Sequence, residues 1–418
     1  MKILFYNHTG QVSGAERMLL MILARLNQRL FDPLVICPEP GPLLGMATSL
    51  GVPVESVPVL GARFTWRVDR LLHYLKSFFL VIRELRRKIV RAKPDLIHAN
   101  SIRAGLVASA ATLGMRTIVV WHLHDLLPRH PLSTGVRLFA FLNPRTRMIA
   151  VSQAVAENFA GGTYGVGAGL RKRTTIILNA IDLEKFQPNP TASQTVRDEL
   201  NLGDSRPVIG IVGQLTPRKG QLELLRAFAR VLGENPKAAL LVVGAPLFNH
   251  DQEYEQRLKD TARELGISEH VRFLGARSDV AAVMQSLDLL VVNSAAEPFG
   301  LVALEAMACG TPVVAAACDG LAEIIEHEVD GWLVPPGDEP AMAAAIIDLN
   351  RQPARRAQLA EQGKKRVRAR FSADRYLAEL QTLYCSHVRS QSKAPAGESA
   401  PRSAGGATKL AEHPSIST

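Results

Sequence analysis

Two glutamates eight residues apart, Glu297 and Glu305, frame the stretch of this sequence whose residue types best suit chemistry. On a helix that spacing sets the carboxylates about 12 Å apart along the axis, too far for one acid/base dyad. It suits two grips on one extended ligand. Between them Phe299, Gly300, Leu301 and Val302 offer backbone N–H groups, and Gly300 carries no side chain to keep a ligand off that backbone. The flanking pattern supplies the positioning: an apolar strand run at Leu287 to Val292, then Glu297-Pro298 opening a helical pattern. That pattern stops at Gly310, and a second β-rich run spans Thr311 to Ala316. A helix amino end at the carboxyl edge of a parallel strand carries free N–H groups and a partial positive charge. The expectation is an anionic ligand whose hydroxyls Glu297 and Glu305 hold.

Three other clusters carry chemistry. In Gly213-Gln214-Leu215-Thr216-Pro217-Arg218-Lys219-Gly220, a strand ends at Gly213 and a helix begins near Gly220. Arg218 and Lys219 between them predict a phosphate clamp of amides and ammonium; the alternative is a charged surface turn. No Walker A pattern accompanies it, which argues against a P-loop nucleotidase. At the amino terminus, Gly10 and Gly14 are four apart in the first strand-to-helix turn, which is not the dinucleotide fingerprint. A plain turn explains them, or a glycine loop approaching a substrate. In Trp121-His122-Leu123-His124-Asp125 the histidines end a strand, where His124 can donate a hydrogen bond to a sugar hydroxyl or pyrophosphate and Asp125 can orient it. A core histidine is the alternative, and no third ligand of suitable spacing supports a metal site.

The elements that must carry these residues repeat one theme. Strand candidates are Lys2 to Tyr6, Leu34 to Cys37, Asp95 to His98, Thr117 to Trp121, Met148 to Val151 and Thr175 to Leu178, with helical stretches such as Ala15 to Arg29 and Arg103 to Leu113 between them. After a proline-rich polar break at about Lys185 to Pro207 the theme restarts at Val208 to Val212, Leu240 to Val243, Val271 to Leu274, Leu287 to Val292 and Pro312 to Ala315. Alternating strands and helices predict doubly wound parallel sheets, and two such units imply a cleft between them. At 418 residues two domains are the default. The expected division is 1–190 and 206–370, then a helix at 371–388 packing back on the first domain. The Ser/Ala/Gly/Pro-rich segment 389–418 is expected to be disordered.

Net charge is +10, and it is uneven. Arg63, Arg67, Arg70, Lys76, Arg83, Arg86, Arg87, Lys88, Arg91 and Lys93 crowd one segment against only Asp69 and Glu84, while apolar residues recur there at helical spacing. This predicts a long amphipathic helix over 68–93 with a basic outer face, read either as a solvated surface or as a contact for an anionic membrane. No nucleic-acid motif accompanies the charge, so nucleic acid is not expected as a partner. The four cysteines form no CxxC pair, which points to a reducing compartment. The opening apolar run is too short for a signal-peptide core, and no run reaches the ~18 residues of a spanning helix, so a cytoplasmic protein is expected, peripheral on the membrane if the basic helix docks.

The combination resembles the retaining glycosyltransferases of sequence family 4, which have the two-Rossmann GT-B fold. The resemblance runs from about Lys2 to Phe371 and is carried by Glu297-PFGLVAL-Glu305 followed by AMACGTPVVA. IILNAIDLEKF, GQLTPRKG, VRFLGARSDV, WHLHD and AVSQ support it. It implies a nucleotide-diphosphate-sugar donor, used as co-substrate, and a glycan or lipid-linked acceptor in polysaccharide or cell-envelope synthesis. In that role Glu297 would contact the donor sugar, Glu305 the ribose, and Lys219 with the 299–302 backbone the diphosphate. His124 would contact the transferred sugar, and Gly14 would lie near diphosphate or acceptor. The resemblance further implies retention of configuration and no cofactor or catalytic metal; the chain has no Asp-x-Asp. Departures are Gln214 where the family has Arg, which removes one phosphate contact unless Arg218 supplies it; Asn179-Ala180 for Asn-Gly; and Asp319-Gly320 for a glycine pair. A sugar-nucleotide epimerase of the same fold, or a binding protein that has lost catalysis, are the alternatives.

Overall fold

The structure of the protein, a computed structural model, describes residues 1–61, 68–161, 165–246 and 252–392. Its first sheet has seven parallel strands: β1 (Lys2–Tyr6), β2 (Asp32–Pro38), β3 (Val54–Val57), β4 (Leu96–Ala99), β5 (Ile118–Leu123), β6 (Thr146–Ala150) and β7 (Thr174–Ile176). They lie in the order β3-β2-β1-β4-β5-β6-β7. The second sheet has six: β8 (Val208–Val212), β9 (Ala239–Val243), β10 (Val271–Gly275), β11 (Leu289–Val292), β12 (Val313–Ala316) and β13 (Trp332–Val334), in the order β10-β9-β8-β11-β12-β13. The central strands read as near-continuous Val/Ile/Leu runs because helices cover both faces. The expected strands are present with ends shifted by a few residues. β3 and β13 carry no comparable signal: both lie on sheet edges, and Val-Glu-Ser-Val and Trp-Leu-Val are too short or too polar for a buried-strand pattern.

In each sheet the order reverses once, between β1 and β4 and between β8 and β11. Such switch points open a crevice at the strands' carboxyl ends, where ligands bind in open α/β sheets. The segments leaving these four strands carry Asn7 and His8, Asn100 and Ser101, Gly213, and Asn293 to Glu297. Local sequence fixes where the helices beyond them begin. Ser13 and Glu16 form a reciprocal capping box for Gly14–Arg25, and the Ser101 hydroxyl accepts from the Ala104 amide to start Ile102–Ala111. Gly105 lets that helix lie flat on Trp121, since a Cβ there would sit 2.2 Å from the indole.

The break at 185–207 is not simply a polar connection. Asn189 caps a helix, Pro190–Glu199, which packs on the helix Val280–Ser286 and whose Val196 joins the core. Proline at N1 suits a helix start as well as a loop, which is why composition hid it. At the far end Phe371 O accepts from Ile181 N at 3.1 Å, and the helix Ala373–Ser392 returns to the first domain. There Tyr376, Leu377, Leu380 and Tyr384 pack with Ile3, Phe5, Leu19 and Val120. The helix runs past the expected 388; residues 393–418, most of the expected tail, lie outside the described residues.

The amphipathic segment forms the helix Val68–Ala92, with Val81, Leu85 and Ile89 buried. Its outer face is basic, with Lys76, Arg83, Arg86, Arg87 and Arg91 all exposed, and part of that charge is answered within the fold. Lys88 and Arg91 both reach Glu55, at 2.7 and 2.6 Å, Arg87 pairs with Glu84, and Arg86 donates to the carbonyls of Ala111 and Leu113. Those charges answer partners of their own fold. What remains outward is mixed: exposed Leu75, Phe79 and Leu80 beside Lys76 and Arg83. Arg63 and Arg67 lie outside the described residues.

Candidate functional site

Glu297 stands in the loop after β11, buried, with its backbone held from both sides. Its N–H donates to Asp319 Oδ2 at 3.0 Å and its carbonyl accepts from Gly320 N–H at 3.0 Å. Asp319-Gly320, a departure from the family pattern, is thus the clasp of this loop; a Cβ on Gly320 would come within 2.5 Å of Phe299 Cα. The carboxylate takes Lys219 Nζ at 2.5 Å and Ser294 Oγ at 2.9 Å, with Arg218 at 4.0 Å. Arg218 also donates to Ala296 O at 2.8 Å. Asp319 was marked from sequence only as a departure at a glycine pair, and Ser294 was not legible as a site residue, because it belongs to no motif until the loops meet.

Lys219 is aimed by one turn of 3₁₀ helix, Pro217–Lys219, ending at Gly220 with φ +69°. A side chain at Gly220 would stand 2.0 Å from Asn293 O, so glycine lets the two loops touch. Gly213 has φ +147°, and Lys219 Cε passes 3.9 Å from where its Cβ would be. Gln214 offers its carbonyl to Gln221 Nε2 at 2.8 Å. The loop therefore brings Gly213 and Lys219 beside Glu297.

Two details of the E-x7-E stretch differ. The helix begins at Leu301, not at Glu297, so the axial 12 Å does not describe the pair: one glutamate is on a loop and one on the second turn of Leu301–Cys309. Gly300 has φ +105°, and a Cβ there would meet Leu321 at 2.6 Å. Glycine is required by the turn and by its neighbour. The amides survive as expected: among the described residues, the N–H groups of Phe299, Gly300, Leu301 and Val302 donate to nothing. Glu305 is half-buried, without a hydrogen-bond partner among the described residues, and burial raises its pKa to about 7 against the opposing charges of Arg17 and Lys185.

The first domain faces this edge. A Cβ on Gly14 would lie 3.7 Å from Leu301, so the glycine loop adjoins the helix amino end. Gly10 serves the fold instead, because a Cβ there would meet Pro38 O at 2.4 Å where the two backbones cross. His124 is held by Asn100, Nε2 to Oδ1 at 3.2 Å, and not by Asp125. Asp125 is exposed toward the second domain, its pKa raised by the surrounding protein and pulled back by Arg218. His122 is fully buried. Sequence reasoning missed two further cross-domain contacts. Ser152 Oγ donates to Pro298 O at 2.7 Å, and Glu323 caps the helix Gln153–Ala160 through the amides of Gln153 and Ala154 at 2.8 and 2.6 Å. Among the described residues no three His, Cys, Asp or Glu side chains gather as a metal site would require.

Two parallel-sheet domains apposed at their switch points, with an amide-lined helix start and a lysine–glutamate pair between them, define the GT-B class of sugar-transfer proteins. Residues 12–185 match the model of glycosyltransferase family 4 and residues 192–366 that of the glycosyl transferases group 1. The chain belongs to glycosyltransferase family 4. It is 34% identical over 323 residues to the D-inositol 3-phosphate glycosyltransferase of Salinispora tropica, spanning 72% of this chain and 66% of that one. The same-named protein of Stackebrandtia nassauensis is 33% identical, over 72% of this chain and 70% of its own. Among solved structures, Anabaena Alr3699/HepE in complex with UDP-glucose superposes with a TM-score of 0.80 at 29% identity, covering 92% of this chain and 100% of that one.

Proposed function

We propose that this glycosyltransferase moves a hexosyl group from a UDP-sugar, with retention and without a metal, to a lipid-linked or polysaccharide-precursor acceptor. The observation that carries the reading is the set of four undonated amides at Phe299 to Val302, beside Lys219 and bounded by Glu297 and Glu305. A diphosphate leaving group gathers charge as the glycosidic bond breaks, and oriented N–H groups with an ammonium stabilise that charge without reorganisation. The same electrostatic work otherwise falls to a divalent cation, so activity survives chelation. Glu297, neutralised in part by Lys219, takes hydroxyls of the donor sugar, and Glu305 takes those of the ribose. UDP as the carrier follows the complexes of Anabaena Alr3699/HepE, whose bound ligands are UDP and UDP-glucose.

The acceptor half rests on the outer face of Val68–Ala92. Leu75, Phe79 and Leu80 beside Lys76 and Arg83 suit the boundary of an anionic bilayer. No helix among the described residues is long and apolar enough to cross a membrane, so a peripheral contact is the form this takes. The deciding experiment is thermal unfolding against a panel of UDP- and GDP-sugars with EDTA present. A bound donor raises the midpoint by mass action. Stabilisation by a UDP-sugar followed by transfer in EDTA supports the reading; a requirement for Mg²⁺, or GDP-sugars alone binding, overturns it.

A further inference from the structure

Beneath the first domain's side of the cleft runs a buried polar chain that ends at His124, the residue the family resemblance sets at the transferred sugar. Asn7 Nδ2 donates to Thr9 O at 2.6 Å and to Glu16 Oε1 at 3.1 Å. Both partners accept, so this amide cannot be turned over, and its Oδ1 must itself accept. It accepts from Asn100 Nδ2 at 3.2 Å, which also donates to Ala15 O at 3.2 Å. Asn100 is fixed in the same sense, leaving its Oδ1 toward His124 Nε2 at 3.2 Å. An amide oxygen only accepts. The proton of the His124 ring is therefore on Nε2, and Nδ1 keeps its lone pair. At the other end Glu16 Oε2 takes the amide and hydroxyl of Ser13 at 2.9 and 2.5 Å, which ties the carboxylate to the glycine loop.

The ring is also seated from below. His122 packs 3.8 Å from it, centroid to centroid; His122 Nδ1 is 3.2 Å from His98 Nε2, and His98 Nδ1 is 2.7 Å from the Tyr384 hydroxyl of the returning helix. Asn7, Asn100, His98, His122 and Tyr384 are all fully buried. Apolar side chains would fill this space without desolvating amides and imidazoles, so packing alone does not account for the chain.

We propose that Glu16 is a positioning residue acting through Asn7 and Asn100, which holds His124 in the Nε2–H tautomer so that Nδ1 accepts a hydrogen bond from a substrate hydroxyl. This reverses the donor role that position in the sequence suggests. The hydroxyl rests on the sugar-transfer reading; the tautomer does not. Burial, which lowers the His124 pKa to about 3, leaves the lone pair available at neutral pH.

The test is side-chain ¹⁵N–¹H correlation of the histidines in the full chain, with His124→Gln to assign the signal, alongside steady-state kinetics. The wild type should show protonated Nε2 and bare Nδ1. Glu16→Gln brings an NH₂ group that competes for Asn7, so the Nδ1–H tautomer should become populated. Its kcat should fall about tenfold while donor KM and the unfolding midpoint change little. Asn100→Leu serves the same reading if Glu16→Gln does not fold. A wild-type ring protonated on Nδ1 overturns the proposal whatever the activity. An unchanged tautomer in both variants overturns the relay, and a shifted tautomer with full kcat overturns the hydroxyl contact. Should no UDP-sugar be transferred at all, the spectrum still decides the tautomer.

Discussion

The ammonium of Lys219 lies 2.5 Å from the Glu297 carboxylate, each delivered by a loop from one of two adjacent strands, β8 and β11, at the second sheet's switch point. Neither lies on an α-helix. Lys219→Ala leaves Glu297 with Ser294 and a more distant Arg218, and removes the ammonium paired with it. Transfer from UDP-glucose should fall about a hundred- to a thousandfold, the range seen when a charge-stabilising donor is lost. Glu297→Ala should cost a comparable factor. Circular dichroism should show both variants folded, and full activity in either removes the pair from the chemistry.

Donor binding should depend on pH through Glu305. Its pKa of about 7 in the free protein reflects burial without a hydrogen-bond donor. Ribose hydroxyls donate to the charged carboxylate and lower that value in the complex. The free form then carries a proton the bound form lacks, so affinity falls as pH drops below about 7, by up to tenfold per unit, and is flat above it. Calorimetric titration of a UDP-sugar, whose diphosphate diester does not titrate between pH 5 and 8, reads this as proton release over that range. Glu305→Gln should be weaker at pH 8 and lose the dependence; a flat wild-type profile contradicts the role.

Glu323 reaches across the domain boundary to cap Gln153–Ala160 with two short bonds. Losing an N-cap costs about 1 kcal/mol, and more when the cap is charged. Glu323→Ala should lower the unfolding midpoint by a few degrees. Because Ser152 of the same helix start holds Pro298 O in the E-P-F-G loop, donor affinity should weaken too. Glu323→Gln keeps one acceptor and should fall between. Equal midpoints for all three proteins would show that the contact contributes nothing.

Membrane attachment, if it uses Val68–Ala92, depends on apolar side chains more than on arginines already paired within the fold. Phe79 is 67% exposed, the most open aromatic of the helix's described side chains. Phe79→Glu should abolish flotation with phosphatidylserine vesicles and leave transfer to a soluble acceptor unchanged. Arg87→Gln, whose charge is answered by Glu84, should have little effect. Flotation of Phe79→Glu at the wild-type level excludes this face.

Much of the architecture was legible along the chain, because parallel strands buried on both faces must be apolar runs and their helices must show a 3.6-residue period. β1 and β8 were placed to the residue. The Gly213–Gly220 segment was legible as the link from β8 to a helix, since glycine, lysine and a helix start lie within eight consecutive residues. The helix at Pro190–Glu199 was not: its proline and asparagine serve a cap as readily as a turn, and only packing on the helix Val280–Ser286 decides between them.

By itself the sequence determined what chemistry is present: two carboxylates, a lysine, a run of amides and a histidine at a strand end. Tertiary structure decided which of these act together and in what sense. It moved Glu297 off the helix and onto Lys219, gave Gly300 a steric reason, and replaced Asp125 by Asn100 as the partner of His124. The physical reason is range. Strand and helix periodicity are local and leave a record in consecutive residues, whereas hydrogen bonds such as Asn7–Asn100 and Ser152–Pro298 join positions 93 and 146 apart. No spacing along a chain records which way an amide at such a junction must point.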